Sequence, residues 1–128
     1  MPITRGETAR KFEIEPGVTV IVLTGAETGA ASLNAGLATF EPGATLACHT
    51  HDCEESITIL VGEAALDLEG RRETLSPFDT SMVPAWVPHR FANASDSQPM
   101  TMFWVYASPA AGRTIVEEAR CSTAARDI

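Results

Sequence analysis

Two of the chain's three histidines, His49 and His51, stand one residue apart in the stretch CHTHDCEES, residues 48–56, and carboxylates follow them closely. On an extended strand alternate side chains point the same way, so both imidazoles project from one face. The same alternation carries Glu55 to that face, at the head of ESITILV, where Glu55, Ile57, Ile59 and Val61 form the inward set. A lone carboxylate leading an inward aliphatic row is costly to bury. A metal ion shared with two imidazoles offsets that cost. Should a bulge interrupt the chain between residues 51 and 55, Glu54 takes over from Glu55. The third histidine, His89, opens HRFAN, in which His89, Phe91 and Asn93 share a face. Neutral imidazoles with one carboxylate suit a single divalent transition ion: Fe, Mn, Ni, Zn, Co or Cu. With four protein ligands, an octahedral ion keeps about two positions open for substrate or oxygen.

The elements that would position these groups read as strands. VTVIVLTG (18–25), LNAGLATFE (33–41), ESITILVGEAALDLEG (55–70), TSMVP (80–84), HRFAN (89–93) and MTMFWVYAS (100–108) are short β-branched or aromatic runs, separated by Pro16-Gly17, Pro42-Gly43, Gly62, Gly70, Pro77 and Pro99. Such a pattern predicts an all-β sandwich or barrel. The tail from residue 112 to residue 128 is compatible with a helix, or with a strand and a frayed end.

Gly43 opens the sequence G-ATLAC-H-T-H-DCE-E-SITILV-G, which resembles the first cupin motif, G-x5-H-x-H-x3,4-E-x6-G, at every fixed position. The stretch from Phe78 to Asn93 resembles the second motif, G-x5-P-x-G-x2-H-x3-N, at Pro84, His89 and Asn93, and departs from it at Phe78 and Trp86, where the motif has glycine. The resemblance spans about residues 33–108 and is to the cupin superfamily, in particular its small single-domain members of the cupin 2 conserved-barrel type. It implies one domain over residues 1–128, a jelly-roll β-barrel with a metal inside, and His49, His51, Glu55 and His89 as metal ligands. Gly43 and Gly62 become turn positions, Pro84 a strand end and Asn93 a structural residue. A tryptophan does not readily take a left-handed conformation, so the loop before His89 is expected to turn differently, with the Trp86 ring capping the barrel mouth.

Other side chains are candidates for the site. Tyr106, the only tyrosine, could serve as acid, base or hydrogen-bond donor if it faces the metal. Cys53 lies in the ligand loop, within reach of the metal or the cavity, although a packed free thiol is the simpler expectation. Phe40, Trp86, Phe91, Phe103 and Trp104 are candidates for the pocket wall or for the core. Cys48 has the opposite parity to His49 and is expected to face outward, as is Arg90 beside His89.

Composition excludes several functions. A net charge of -8, with Lys11 the only lysine, argues against a nucleic-acid partner. No apolar run is long enough to cross a membrane, and the N-terminus has no secretory core. Three cysteines without CxxC spacing predict no disulfide framework and a reducing, cytoplasmic setting. The expected partner is a small-molecule substrate. A dication held by three imidazoles and one carboxylate favours an anionic or enolisable oxygen donor, such as a small carboxylate, diketone or enediol. The barrel strands offer almost no Lys or Arg for phosphates. With Fe(II) the site would be a dioxygenase, to which the absence of an obvious protein acid or base points. With a non-redox ion it would be an isomerase, lyase or decarboxylase. A non-catalytic ligand-binding module is the remaining class. The outward Leu60 and the doubly apolar VTVIVL predict a homodimer.

Overall fold

A computed structural model describes residues 3–122. Eleven strands are present among them: β1 (Arg10–Glu15), β2 (Val18–Thr24), β3 (Asn34–Phe40), β4 (His49–Thr50), β5 (Glu55–Val61), β6 (Ala64–Leu68), β7 (Arg71–Leu75), β8 (Thr80–Val83), β9 (His89–Asn93), β10 (Met100–Tyr106) and β11 (Thr114–Ile115). All pair antiparallel, in a six-stranded sheet ordered β1-β2-β3-β10-β5-β8 and a five-stranded sheet ordered β11-β4-β9-β6-β7. This is the jelly-roll that the resemblance implies. The tail contributes β11 and a single 3-10 turn, Glu118–Arg120, and no α-helix; residues 123–128 of the tail lie outside the described part.

Alternation does most of the positioning. Glu55, Ile57 and Ile59 are buried whereas Ser56 and Leu60 are exposed, as the two-residue period requires. Facing inner sides contribute Val18, Phe40, Ile57, Ile59 and Met100 from one sheet and Leu66 and Phe91 from the other to a single apolar core. The long run from residue 55 to residue 70 is broken into β5 and β6 at Gly62, whose φ is 80°. A Cβ at that position would run into the Pro99 carbonyl, so glycine is required twice over. Two residues with positive φ, Glu69 at 50° and Gly70 at 82°, make the tight turn from β6 to β7. Asn93 ties the far end together, donating from its amide to the carbonyls of Phe40 (3.2 Å), Glu41 (3.2 Å) and Gln98 (2.7 Å).

On the other side of the five-stranded sheet Asp67 is buried, and its carboxylate accepts from Arg72 at 2.7 and 2.9 Å and from Arg90 at 2.9 Å. Arg90 also pairs with Glu118, so it is not the free surface residue that its parity suggested. The Arg72 hydrogen bonds, followed by those of Arg90, overcome burial and hold the Asp67 carboxyl below its usual value of 3.8. A depressed carboxyl stabilises the fold fully above that value and progressively less as the pH falls through the folded one. Asp67→Asn is expected to lower stability by about 3 kcal/mol at pH 7, because two guanidinium groups lose their buried counter-charge. It should also flatten the acid limb below pH about 4. Urea unfolding at neutral and acid pH measures both.

Candidate metal centre

The short β4 is held against β9 in the register His49↔His89, which brings the two ligand regions side by side across the sheet. The ring centroids of His49, His51 and His89 lie 4.4 to 5.2 Å apart, and one nitrogen from each falls within 4.8 Å of the other two. All three rings are buried. Their Nδ1 atoms face backbone carbonyls: Ala47 at 2.7 Å for His49, Gly112 at 2.8 Å for His51 and Val87 at 2.9 Å for His89. A carbonyl only accepts, so each Nδ1 carries the proton and each neutral ring leaves its Nε2 lone pair free.

Glu55 completes the cluster, with Oε1 3.2 Å from His89 Nε2 and 3.5 Å from His51 Nε2. Two acceptors at such distances repel unless a cation stands between them. Protonating His49 and His51 is disfavoured: burial, then the neighbouring His89, pushes His49 down to about 3, and burial lowers His51 despite the opposing pull of Glu55. Three neutral nitrogens and a carboxylate around one point therefore fit a divalent transition ion. Three histidines could hold it, as the sequence spacing implied. Glu54 is exposed, and the pairing Glu55↔Val83 starts an unbroken ladder, so the bulged alternative is not realised.

Tyr106 stands beside this cluster because β10 pairs with β5 in the register Tyr106↔Glu55. Its hydroxyl is 3.3 Å from His51 Nε2, with the rings 4.6 Å apart. Burial, then the Glu55 charge, raises the phenol well above its ordinary value, so it is a proton donor. Cys53 is a free, partly buried thiol whose pKa burial raises, and it is outside the three-histidine group.

The donors open into a cavity of about 580 Å³ walled by Ile14, Val20, Phe91, Met102 and Trp104. Of the five aromatic candidates Phe91 and Trp104 line it, whereas Phe40 is core, Phe103 lies elsewhere and Trp86 is exposed. Two arginines, Arg10 and Arg113, also reach the wall, one from an edge strand and one from the tail, which qualifies the expectation of almost no Lys or Arg from the barrel strands. Arg10 pairs with Glu27 at 3.1 Å and lies over the Phe12 ring; Arg113 pairs with Glu15. The parity of Arg10, Phe12 and Ile14 in RKFEIE was a signal for the first. Nothing in the tail's sequence marked the second.

The loop before His89 corrects another expectation. Phe78 and Trp86 have φ of 74° and 65°, so both take the left-handed conformation that the motif reserves for glycine. Flanking hydrogen bonds hold them there: Phe78 N–H donates to the Ile59 carbonyl (2.6 Å) and Trp86 N–H to the His51 carbonyl (2.8 Å). The Trp86 ring is exposed and does not cap the cavity; with Asp52 and Arg113 it lines a small outer hollow. Trp86→Gly is expected to gain about 1 kcal/mol by removing the strain, net of glycine's larger unfolded-state entropy, in a denaturant titration.

Cysteine pairing is the third correction. Cys48 and Cys121 form a disulfide across a sequence separation of 73, and both are fully buried. Cys48 is covered because β11 pairs beside β4 and the chain after it returns to set Cys121 against Cys48. The cysteine argument for a reducing setting thereby loses its ground. No helix among the described residues is long and apolar enough to cross a membrane.

Residues 36–106 match the family model described as Cupin domain, which is more than half of the chain, and the chain belongs to the cupin family. Its curated relative "Polyketide synthase CurC" of Streptomyces cyaneus is 33% identical over 97 residues, 71% of this chain and 63% of the relative, so the chain spans somewhat under two thirds of that protein's length. The polyketide cyclase RemF from Streptomyces resistomycificus superposes with a TM-score of 0.75 at 20% identity, covering 100% of this chain and 94% of that one. An oxalate decarboxylase of Bacillus subtilis superposes with a TM-score of 0.76 at 19% identity, covering 88% of this chain and 31% of that one. These two likenesses are of fold.

Proposed function

We propose that this chain is a metal-dependent enzyme acting on a small enolisable carbonyl compound of the diketone or polyketide type, by proton transfer and carbon–carbon bond chemistry. His49, His51, His89 and Glu55 would hold the ion. When bound, such an ion acts as a Lewis acid toward a carbonyl oxygen. The observation that carries the reading is the Tyr106 hydroxyl 3.3 Å from His51 Nε2, beside the donor set and at the end of a mostly apolar cavity. Oxygen chemistry was favoured by the want of a protein acid near the ligands, and Tyr106 removes that argument. With the His51 lone pair committed to an ion, the phenol O–H is left for a ligand, to which it can deliver a proton. The apolar walls exclude water from a reactive enol. The relation to a protein named as a polyketide synthase supports the same substrate class.

A dioxygenase is the second reading, favoured by the walls of Phe91, Met102 and Trp104, which would shield oxygen intermediates. One experiment separates the readings. Protein loaded in turn with Zn(II), Mn(II) and Fe(II) is given acetylacetone and benzoylacetone in D2O. NMR follows deuterium entry at the central carbon, and an electrode follows O2. Accelerated exchange without O2 uptake is expected. O2 uptake with carbon–carbon cleavage would establish the dioxygenase instead, and saturable binding with neither would leave a ligand carrier.

The assembly expected is a homodimer. Toward one border of the six-stranded sheet Leu60 on β5, Phe78 in the loop before β8 and Met82 on β8 are exposed. Light scattering at micromolar concentration should give twice the chain mass, and Met82→Lys should shift it toward the monomer; a monomeric wild type would overturn this reading.

A further inference from the structure

The segment from residue 109 to residue 121 runs antiparallel beside β4, the strand that carries His49 and ends just before His51. Thr114 pairs with Thr50 and Ile115 with His49, and Val116 N–H donates to the Cys48 carbonyl at 3.0 Å. Strand β4 is two residues long, and its other ladder contact is the single pair His49↔His89. Without this segment the ligand strand would be an edge held at one point.

The segment also reaches the rings. The Gly112 carbonyl is the Nδ1 partner of His51 at 2.8 Å. Arg113 grips Glu15, whose two oxygens accept the Ala47 N–H at 3.1 and 3.0 Å, and the Ala47 carbonyl is the Nδ1 partner of His49 at 2.7 Å. His89 takes its Nδ1 partner, Val87, from its own chain neighbourhood. The three rings thus differ in dependence: His51 directly, His49 through three links, His89 not at all. What fastens the segment is the disulfide from Cys48, the residue before His49, to Cys121, with Glu118 accepting the Cys48 N–H at 3.4 Å.

We propose that residues 109–121 are a positioning strap for the donor set, fastened by the Cys48–Cys121 disulfide, so that opening the disulfide disorders His51 and weakens metal binding while the barrel stays folded. The inference rests on the metal-binding reading only for its second half. Opening is a two-electron step: a phosphine reductant attacks one sulfur, water supplies the oxygen of the phosphine oxide, and two thiols result. Since a freed Cys48 thiol beside His49 could itself bind a metal, the paired Cys48→Ser, Cys121→Ser variant is the main test.

Oxidised wild type and the double variant are compared by far-UV circular dichroism, by Zn(II) competition against a chromophoric chelator, by the Co(II) absorption spectrum, and by ¹⁵N NMR of the imidazole nitrogens in metal-free protein. Expected are unchanged dichroism, at least tenfold weaker Zn(II) binding, an altered Co(II) spectrum, and loss of the pure Nδ1–H form at His51 with His89 unchanged. Affinity within twofold and an unchanged His51 signal would overturn the proposal. So would cooperative unfolding of the double variant, which would make the disulfide a staple of the whole barrel. If wild type takes up neither metal, the metal reading fails by itself, and the His51 signal still decides whether the strap positions that ring.

Discussion

Replacing His89 with alanine is expected to weaken binding of a divalent transition ion by at least about 100-fold, since removal of an outlying partner of a metal ligand alone costs about 10–100-fold. The ring is fully buried at the junction of β4 and β9, with Nε2 aimed at Glu55, so its loss takes one donor from the centre of the set. The barrel should survive, because the apolar core formed by Phe40, Ile57, Ile59 and Phe91 owes nothing to the imidazole. Glu55→Gln should weaken the ion less than the loss of an imidazole, and Glu54→Gln hardly at all, because Glu54 is exposed. Calorimetric titration with Zn(II) and metal analysis after dialysis give the order. A protein that keeps its metal without His89 would end the assignment of that residue.

The second large effect is expected at Tyr106. Tyr106→Phe removes one oxygen from beside the donor set and should slow deuterium exchange of the diketone probe by about 10²–10⁴, the range for loss of a positioned proton donor. Zn(II) affinity should be unchanged within a few-fold, because the neutral phenol is not among the groups that would hold the ion, His49, His51, His89 and Glu55. A loss confined to kcat, with probe affinity kept, identifies proton delivery. Equal losses in kcat and affinity would point to simple packing against Trp104, whose ring lies 5.1 Å away.

The donor set was legible because it depends on strand parity. His49, His51 and Glu55 share one parity, and although residues 51–54 lie between β4 and β5, the turn there keeps the two-residue count. The strands of the barrel centre were legible for the same reason. β1 and β7 were not, since RKFEIE and RRETL are edge strands whose charged residues hide the alternation. Cys48 misled because parity assumes one buried face, whereas β4 is covered on both. That cover comes from residues more than 60 positions later, as the Gly112–His51 bond shows, and local pattern carries no trace of so distant a partner. Trp86 misled for a related reason: propensity disfavours a left-handed aromatic, but the bond to His51 fixes the backbone regardless of the side chain.

Among the described residues the two sheets end in four unpaired borders, β1 and β8 on one and β11 and β7 on the other. Each is blunted: β1 carries Arg10, Lys11, Glu13 and Glu15, β7 carries Arg71, Arg72 and Glu73, and β8 and β11 are four and two residues long. Strand-to-strand growth, which would have no end and would lead to fibrils, is therefore blocked at every border. The homodimer proposed above would instead join copies face to face, a geometry that closes after two, whereas addition at a border has no natural end.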